Sequence, residues 1–209
     1  MWWDMPAGMR SEFEDWHSHE HFPERLAIPG FRRASRWASA SGGDGFFVMY
    51  ELADYDVLSS AQYLARLNAP TPWSTKMMPH HRNMVRCQCR VLESRGGGVA
   101  RHVLTMRMSP ENAGEGDLRT ALRSLIATLP ARPGFTGAHL LKHEAPAIAQ
   151  TTEQKIRGGA DRMADWIFVA CGHDVAALEA LANTGLTLAS PVEIGLYSLS
   201  HSAVPADVS

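Results

Sequence analysis

The sequence predicts an α+β fold built by writing one βαββαβ unit twice, and three observations predict it. A Pro-Gly-Phe corner occurs at Pro29-Gly30-Phe31 and again at Pro133-Gly134-Phe135, each after a helical stretch and before a strand-like run. The elements after each corner come in the same order: two apolar strands, with a short helix and a closing strand to follow. Between the two sets lies Ser94-Arg95-Gly96-Gly97-Gly98, a turn too short to hold independent domains apart.

In the first half a helix is predicted from Ser11, ended or kinked at Pro23. Strands follow over 31–38 and 46–52, then a helix over 57–67 and a strand over 84–92. The second half begins with a strand over 99–108 and a helix over 117–129, striped by Leu118, Leu122, Leu125 and Leu129 and ended by Pro130 and Pro133. Strands over 135–143 and 166–171, a helix over 175–181 and a strand over 192–199 complete it. This is the order of a ferredoxin-like unit, whose sheet carries helices on one face only. Two such antiparallel sheets facing each other within one chain would cover both bare faces and form a dimeric-α/β-barrel-like domain. Residues 1–95 would be the first repeat, 96–201 the divergent second, and 202–209 an unstructured tail. Only Met1 to Met5 precede the first helix region, so the first strand is expected to be short or partly missing. Residues 144–162 form a long connection where the first half has only 39–45, and connections of that length are usually lids or mobile segments.

The composition, 45% hydrophobic and 20% charged, is that of a globular chain able to bury a core. A net charge of −2 supplies no broad basic field, so nucleic acid is not an expected partner. Three cysteines are too few for a disulfide scaffold, which suits a reducing cytoplasm. The start Met1-Trp2-Trp3-Asp4 does not read as a signal peptide, and no apolar run approaches the roughly 20 residues that span a bilayer, so no membrane partner is expected.

The first helix carries an anomaly. At about 100° per residue, Phe13, Trp16, His17 and Glu20 share one arc, with His21 at its margin. Glu24 joins only if the helix continues past Pro23. Phe13 and Trp16 must face the sheet, so ionisable groups are drawn inward beside them, where they are unfavourable unless paired. The second half acts as an internal control. With a one-residue slip, Trp16, His17, Glu20 and Glu24 correspond to Ala121, Leu122, Leu125 and Leu129; without it, His17, Glu20 and His21 meet Ala121, Ser124 and Leu125. The polar cluster is therefore a property of the first half and not a requirement of the architecture. Three readings stay open: a structural cluster bonded to itself, a general acid–base group with shifted pKa values, or a divalent-metal site from His17 and His21 with Glu20 or Glu24, which lacks an identifiable ligand elsewhere.

Arg32, Arg33 and Arg36 lie on the strand after the corner, beside Trp37. Arg86, Gln88 and Arg90 alternate with Val85, Cys87 and Cys89, giving an apolar face fit to meet helices and a cationic one. Glu51 or solvent could neutralise these arginines, or one of them could hold an anionic or carbonyl-bearing ligand inside the barrel. Residues 68–81 read as a loop interrupted by Pro70, Pro72 and Pro79, with Trp73 as an aromatic anchor near the barrel mouth. The adjacent His80 and His81 should point apart.

The stretch from Phe13 to Arg33 resembles the EthD-like family of the dimeric α/β-barrel superfamily, through Trp16, Glu20-His21, Pro23-Glu24-Arg25 and Pro29-Gly30-Phe31. Pro70-Thr71-Pro72-Trp73 is similar too. The resemblance implies facing sheets, normally from two chains, and a role in the breakdown of small organic compounds. The wider superfamily includes cofactor-independent monooxygenases, lactone isomerases, dehydratases and haem-processing enzymes, so the fold does not fix the reaction. The second half lacks the Glu-His pair, which limits the chain to one such site. The expectation is a small-molecule-binding barrel that acts without a cofactor on an aromatic, lactone-like or carbonyl compound. His17 or His21 would be acid or base, Glu20 would orient it, and Trp16, Trp37, Tyr50 and Trp73 would be the walls. Arg33 would meet a polar group of the ligand. The alternatives are a non-enzymatic accessory protein with a filled barrel and a haem or divalent-metal protein; a homodimer is compatible with each.

Overall fold

The structure is a computed structural model and describes residues 1–109, 115–158, 161–184 and 192–208 of the 209. Nine strands form one antiparallel sheet: β1 (Trp2–Asp4), β2 (Phe31–Ser39), β3 (Gly45–Leu52), β4 (Arg82–Val85), β5 (Cys89–Gly96), β6 (His102–Met108), β7 (Phe135–His143), β8 (Trp166–Gly172) and β9 (Val192–Ala203). Their order is β4-β1-β3-β2-β9-β6-β8-β7-β5. Within it, β4-β1-β3-β2 and β9-β6-β8-β7 are the same four-strand arrangement, once per half. The two ends of that order, β4 and β5, are consecutive pieces of one run separated by three residues, Arg86 to Gln88. The sheet therefore closes on itself. Each half gives its last strand to the second strand of the other: β9 pairs with β2, and β5 pairs with β7.

Alternation along the strands sorts the core into three layers. The interior of the barrel is packed by Trp2, Trp37 and Phe47 of the first half against Val103, Ile167 and Val169 of the second. Phe47 stacks between Trp2 (ring centroids 5.1 Å apart) and Trp37 (5.4 Å). The indole N–H groups donate to Thr105 Oγ1 (3.2 Å) and the Ala100 carbonyl (3.1 Å), so two large aromatics are buried with their polar atoms satisfied. Outside the barrel, each half packs helices on the other face of its sheet. In the second half α5 (Glu115–Thr128) buries Leu118, Leu122 and Ile126, and α7 (Val175–Asn183) buries Leu178 and Leu181. Ile126 takes the place the sequence assigned to Leu125, which is only half-buried. In the first half the cover is α1 (Arg10–Trp16), α2 (Phe22–Leu26), α3 (Ala61–Asn68) and α4 (Pro72–Met77). No helix among the described residues is long and apolar enough to cross a membrane.

Three expectations need correction. The run read as one strand over 84–92 is broken, because it must leave β1 and cross to β7. The stretch 68–81 holds a short helix: Thr71 caps it by accepting from the Ser74 N–H, and Pro72 sits in its first turn, where a missing N–H does no harm. The expected tail at 202–208 is structured, since Ser202 and Ala203 pair with β2 and a 3-10 turn follows at Pro205–Asp207; residue 209 lies outside the described residues. The first strand is three residues long, as expected. The long connection carries a helix of its own, α6 (Thr152–Arg157), fixed by a capping box between Thr151 and Gln154.

The repeated corner has a repeated cause. Both are four-residue turns closed by an i+3 hydrogen bond, Phe31 N to Ile28 O (3.1 Å) and Phe135 N to Arg132 O (3.2 Å). Proline occupies the second position and glycine, at φ +95° and +88°, the third. A Cβ on Gly30 would lie 2.4 Å from Val57 Cγ2, and one on Gly134 would lie 2.7 Å from Ala177 Cβ. Gly42, at φ +79°, faces open space. Gly30→Ala and Gly134→Ala should each lower stability by about 1–3 kcal/mol, and Gly42→Ala by less, measured as shifts of the urea midpoint.

Candidate functional site

The site begins with a defect in a helix. After α1 the chain makes a π-helical turn, His17–His21, in which the Phe22 N–H reaches back five residues to the His17 carbonyl. Pro23 follows at once. It has no N–H, and in a plain α-helix its ring would collide with the carbonyl four residues back. The widened turn relieves that conflict, so the helical path continues into α2 instead of ending. Its extra residue also rotates what comes next: Arg25, not Glu24, turns inward and is buried. Glu24 stays at the margin, 3.3 Å from Arg66. Turns of this kind occur often at functional sites.

His17 and His21 stack with ring centroids 5.1 Å apart and lie in an aromatic box. Phe22 is 4.3 Å from His17, and Trp16 is 4.6 Å from His21. His81 enters from the turn after α4 and packs on Trp3 at 4.9 Å. Burial holds His17 and His21 well below the ordinary imidazole value; His21 and Arg36 add to the effect on His17, and Arg25 adds to it on His21. Burial also pushes His81 down to about 4. All three imidazoles are thus neutral at pH 7. Burial raises the Tyr50 hydroxyl, which stays protonated as a donor.

These groups line a cavity of about 770 Å³. It runs from the helix side of the first half, past Trp3, Trp16, Tyr50 and Tyr63, to the barrel side at Trp2, Trp37, Phe47 and Cys89. One wall comes from the second half. Glu153 of α6 reaches in and meets Arg25 Nη2 at 2.5 Å, with both side chains 4% exposed. Several buried polar atoms of the first half that line the cavity have no hydrogen-bond partner among the described residues: Nδ1 of His17 and His21, Nη1 of Arg25, the Tyr50 hydroxyl and Trp3 Nε1. Groups of this kind are normally satisfied in a folded protein, and here several of them lie around one cavity.

His17, His21, Trp16, Trp37 and Tyr50, picked out from sequence, all line the cavity. Glu20 does other work than orienting an imidazole. It accepts from Trp16 Nε1 (3.0 Å), Thr71 Oγ1 (2.5 Å) and Ser74 Oγ (3.3 Å), fastening the first helix to α4. Arg33 is paired with Glu51 at 3.6 Å, and Trp73 packs at the edge of the helix-side core; neither lines the cavity. The faces around the strand break are the reverse of the sequence reading. Val85, Cys87 and Cys89 face the barrel interior, while Arg86 faces the helices and donates to the Tyr63 hydroxyl at 3.3 Å. Arg36 is buried on the helix side by Ser18, Ser200 and the Glu14 carbonyl. Arg25, His81, Glu153 and Arg157 went unrecognised: an ideal helical period puts Glu24 in Arg25's place, and no spacing signal ties α6 to the first helix. Among the described residues no three His, Cys, Asp or Glu side chains converge to hold a metal ion.

No known family pattern matches this chain, and no curated protein matches it. Solved structures do. An anthrone oxidase-like protein superposes with a TM-score of 0.63 at 12% identity, covering 100% of this chain and 92% of its own. A candidate monooxygenase from Lactobacillus acidophilus gives 0.59 at 9% identity, covering 98% and 93%. Another from Fusobacterium nucleatum gives 0.59 at 4% identity, covering 97% and 91%. At such identities the likeness is one of fold. This chain is a dimeric α/β barrel of ferredoxin-like halves, both supplied by one polypeptide.

The depressed imidazoles make a pH prediction. A histidine whose folded pKa lies below its unfolded value binds its proton more readily when unfolded, so stability is full above about pH 6.5 and falls as pH drops below it. In NMR titrations, His81 should titrate near pH 4. His17 and His21 should show no titration between about pH 6 and 8, where a free imidazole would.

Proposed function

We propose that this protein is a small-molecule enzyme whose cavity carries out proton-transfer chemistry on an aromatic carbonyl compound, with His17 and His21 as the proton-accepting groups. The observation that carries this reading is the pair of neutral, stacked imidazoles on the wall of an aromatic cavity, with unpartnered donors beside them. About 770 Å³ is room for a ligand of two or three fused rings. Trp3, Trp16, Tyr50 and Tyr63 offer ring faces to such a ligand.

The chemistry follows from charge states. A neutral imidazole accepts a proton from a C–H or O–H made acidic by a neighbouring carbonyl. As that proton leaves, negative charge gathers on the carbonyl oxygen, where the protonated Tyr50 hydroxyl, itself without a partner among the described residues, can donate to it. Burial disfavours the imidazolium, so the proton is readily handed on. For an anthrone, the resulting carbanion is oxidised by dioxygen: the CH2 carbon becomes a carbonyl, one oxygen atom enters the substrate and the other leaves in water. The stretch from Trp16 to Phe31 supports placing the chain in the EthD-like family, whose association with small organic compounds agrees with this reading. A cavity beside the first helix weighs against the accessory reading, which calls for none there. A cytoplasmic enzyme, alone or as a homodimer, is part of the same proposal.

The test is turnover of 1,8-dihydroxyanthrone in air, followed by anthraquinone absorbance. Wild-type protein should accelerate it, and His17→Ala and His21→Ala should each reduce kcat/KM by about 10²-fold or more while keeping the wild-type circular dichroism. Unchanged rates in both variants would remove the histidines from the chemistry.

A further inference from the structure

Three guanidinium groups meet at the helix-side end of the cavity, each from a different part of the chain. Arg25 comes from α2, Arg86 from the break between β4 and β5, and Arg157 from α6. Arg25 is answered by Glu153 at 2.5 Å and Arg157 by Asp161 at 3.2 Å. Arg86 donates to the Tyr63 hydroxyl at 3.3 Å. Arg66, the next cation along this wall, is answered by Glu24 at 3.3 Å, so that of these four guanidinium groups Arg86 alone has no carboxylate partner among the described residues. Burial depresses Arg157 and Arg86 adds to it; burial likewise depresses His21, with Arg25 and Arg157 adding to it.

The donors are not used up either. Arg25 Nη1 and Arg157 Nε are buried without a hydrogen-bond partner among the described residues, and Arg25 is 3% exposed. Arg86 and Arg157 are half-buried, and holding a cation without a carboxylate partner beside unpaired, buried N–H groups is unfavourable unless an anion joins them. The guanidinium fork matches a carboxylate in shape and charge.

We infer that this end of the cavity is a carboxylate subsite, in which Arg86 and Arg157, with the free Nη1 of Arg25 beside them, hold an acid group of the ligand. The inference rests on the cavity taking a small aromatic molecule and adds that the molecule is an aromatic acid. Its carboxylate lies against α6 and its ring extends toward the Trp16, His17 and His21 wall. Sequence alone pointed to Arg33 for this duty; Arg33 is instead neutralised by Glu51.

The experiment is calorimetric titration of the full chain with 2-naphthoate and with 2-naphthamide, which share a ring system and differ in charge. The acid should bind about tenfold more tightly or better, a difference suited to a charge-assisted pair. Arg86→Gln should abolish that preference and leave the amide's affinity within about twofold. Arg86→Lys, which keeps the charge and loses the fork, should fall between. Equal binding of acid and amide to the wild-type protein would overturn the subsite and leave the small-molecule reading standing. An acid preference that survives Arg86→Gln would overturn the assignment to Arg86. Binding of neither probe would overturn both the subsite and the reading beneath it.

Discussion

Each half of this chain makes a sheet with an apolar face that its own helices do not cover, and the rest of the structure follows from how those faces are hidden. The last strand of each half is placed where the second strand of the other half can pair with it, β9 with β2 and β5 with β7. That exchange closes the barrel, buries Trp2, Trp37 and Phe47 at its centre, and fixes the halves relative to each other. It also brings the connection between β7 and β8 over the helices of the first half. Without closure, Glu153 would not reach Arg25, and the site would have no second wall.

Within that frame the halves have diverged. The first helix of the second half buries Leu118, Leu122 and Ile126, an ordinary apolar stripe. Its counterpart buries His17, His21 and Arg25 beside Phe13 and Trp16. A buried polar atom left unpaired is unfavourable by about 1–3 kcal/mol, so the first half gives up stability that the second half shows the fold could keep. The π turn belongs to the same divergence. It accommodates Pro23 and, by adding a residue, exchanges an acid for a base on the inner face. Sites that sacrifice local stability in this way are where function is most often found.

Much of the fold could be read from the chain because its signals are local. The Pro-Gly-Phe corners demand glycine at positive φ, the order of periods gives the βαββαβ unit, and the short run before the first helix leaves room for three strand residues. The site was legible only where it is local too. His17 and His21 stood out because Phe13 and Trp16 fix the inward face of their helix. Arg25 did not, because a π turn breaks the period that placed Glu24 inside. Glu153 and Arg157 come from 128 or more positions further along the chain than Arg25, and no periodicity spans that distance. Around the strand break the alternation of Arg86 with Val85, Cys87 and Cys89 holds, but the apolar face meets the barrel interior instead of the helices, because closure of the barrel and not the local pattern decides which side each face meets.

The central claim is that the first helix is polar for the sake of a ligand and not for the sake of the fold. It is tested most directly by urea unfolding at pH 7 of the double variant His17→Leu with His21→Leu, which restores the apolar chemistry of the second half. The account predicts a gain of roughly 1–2 kcal/mol, as two buried, unsatisfied imidazoles give way to side chains that need no partner. A loss of stability of similar size would contradict it, and would mean that the imidazoles are part of what holds the barrel together.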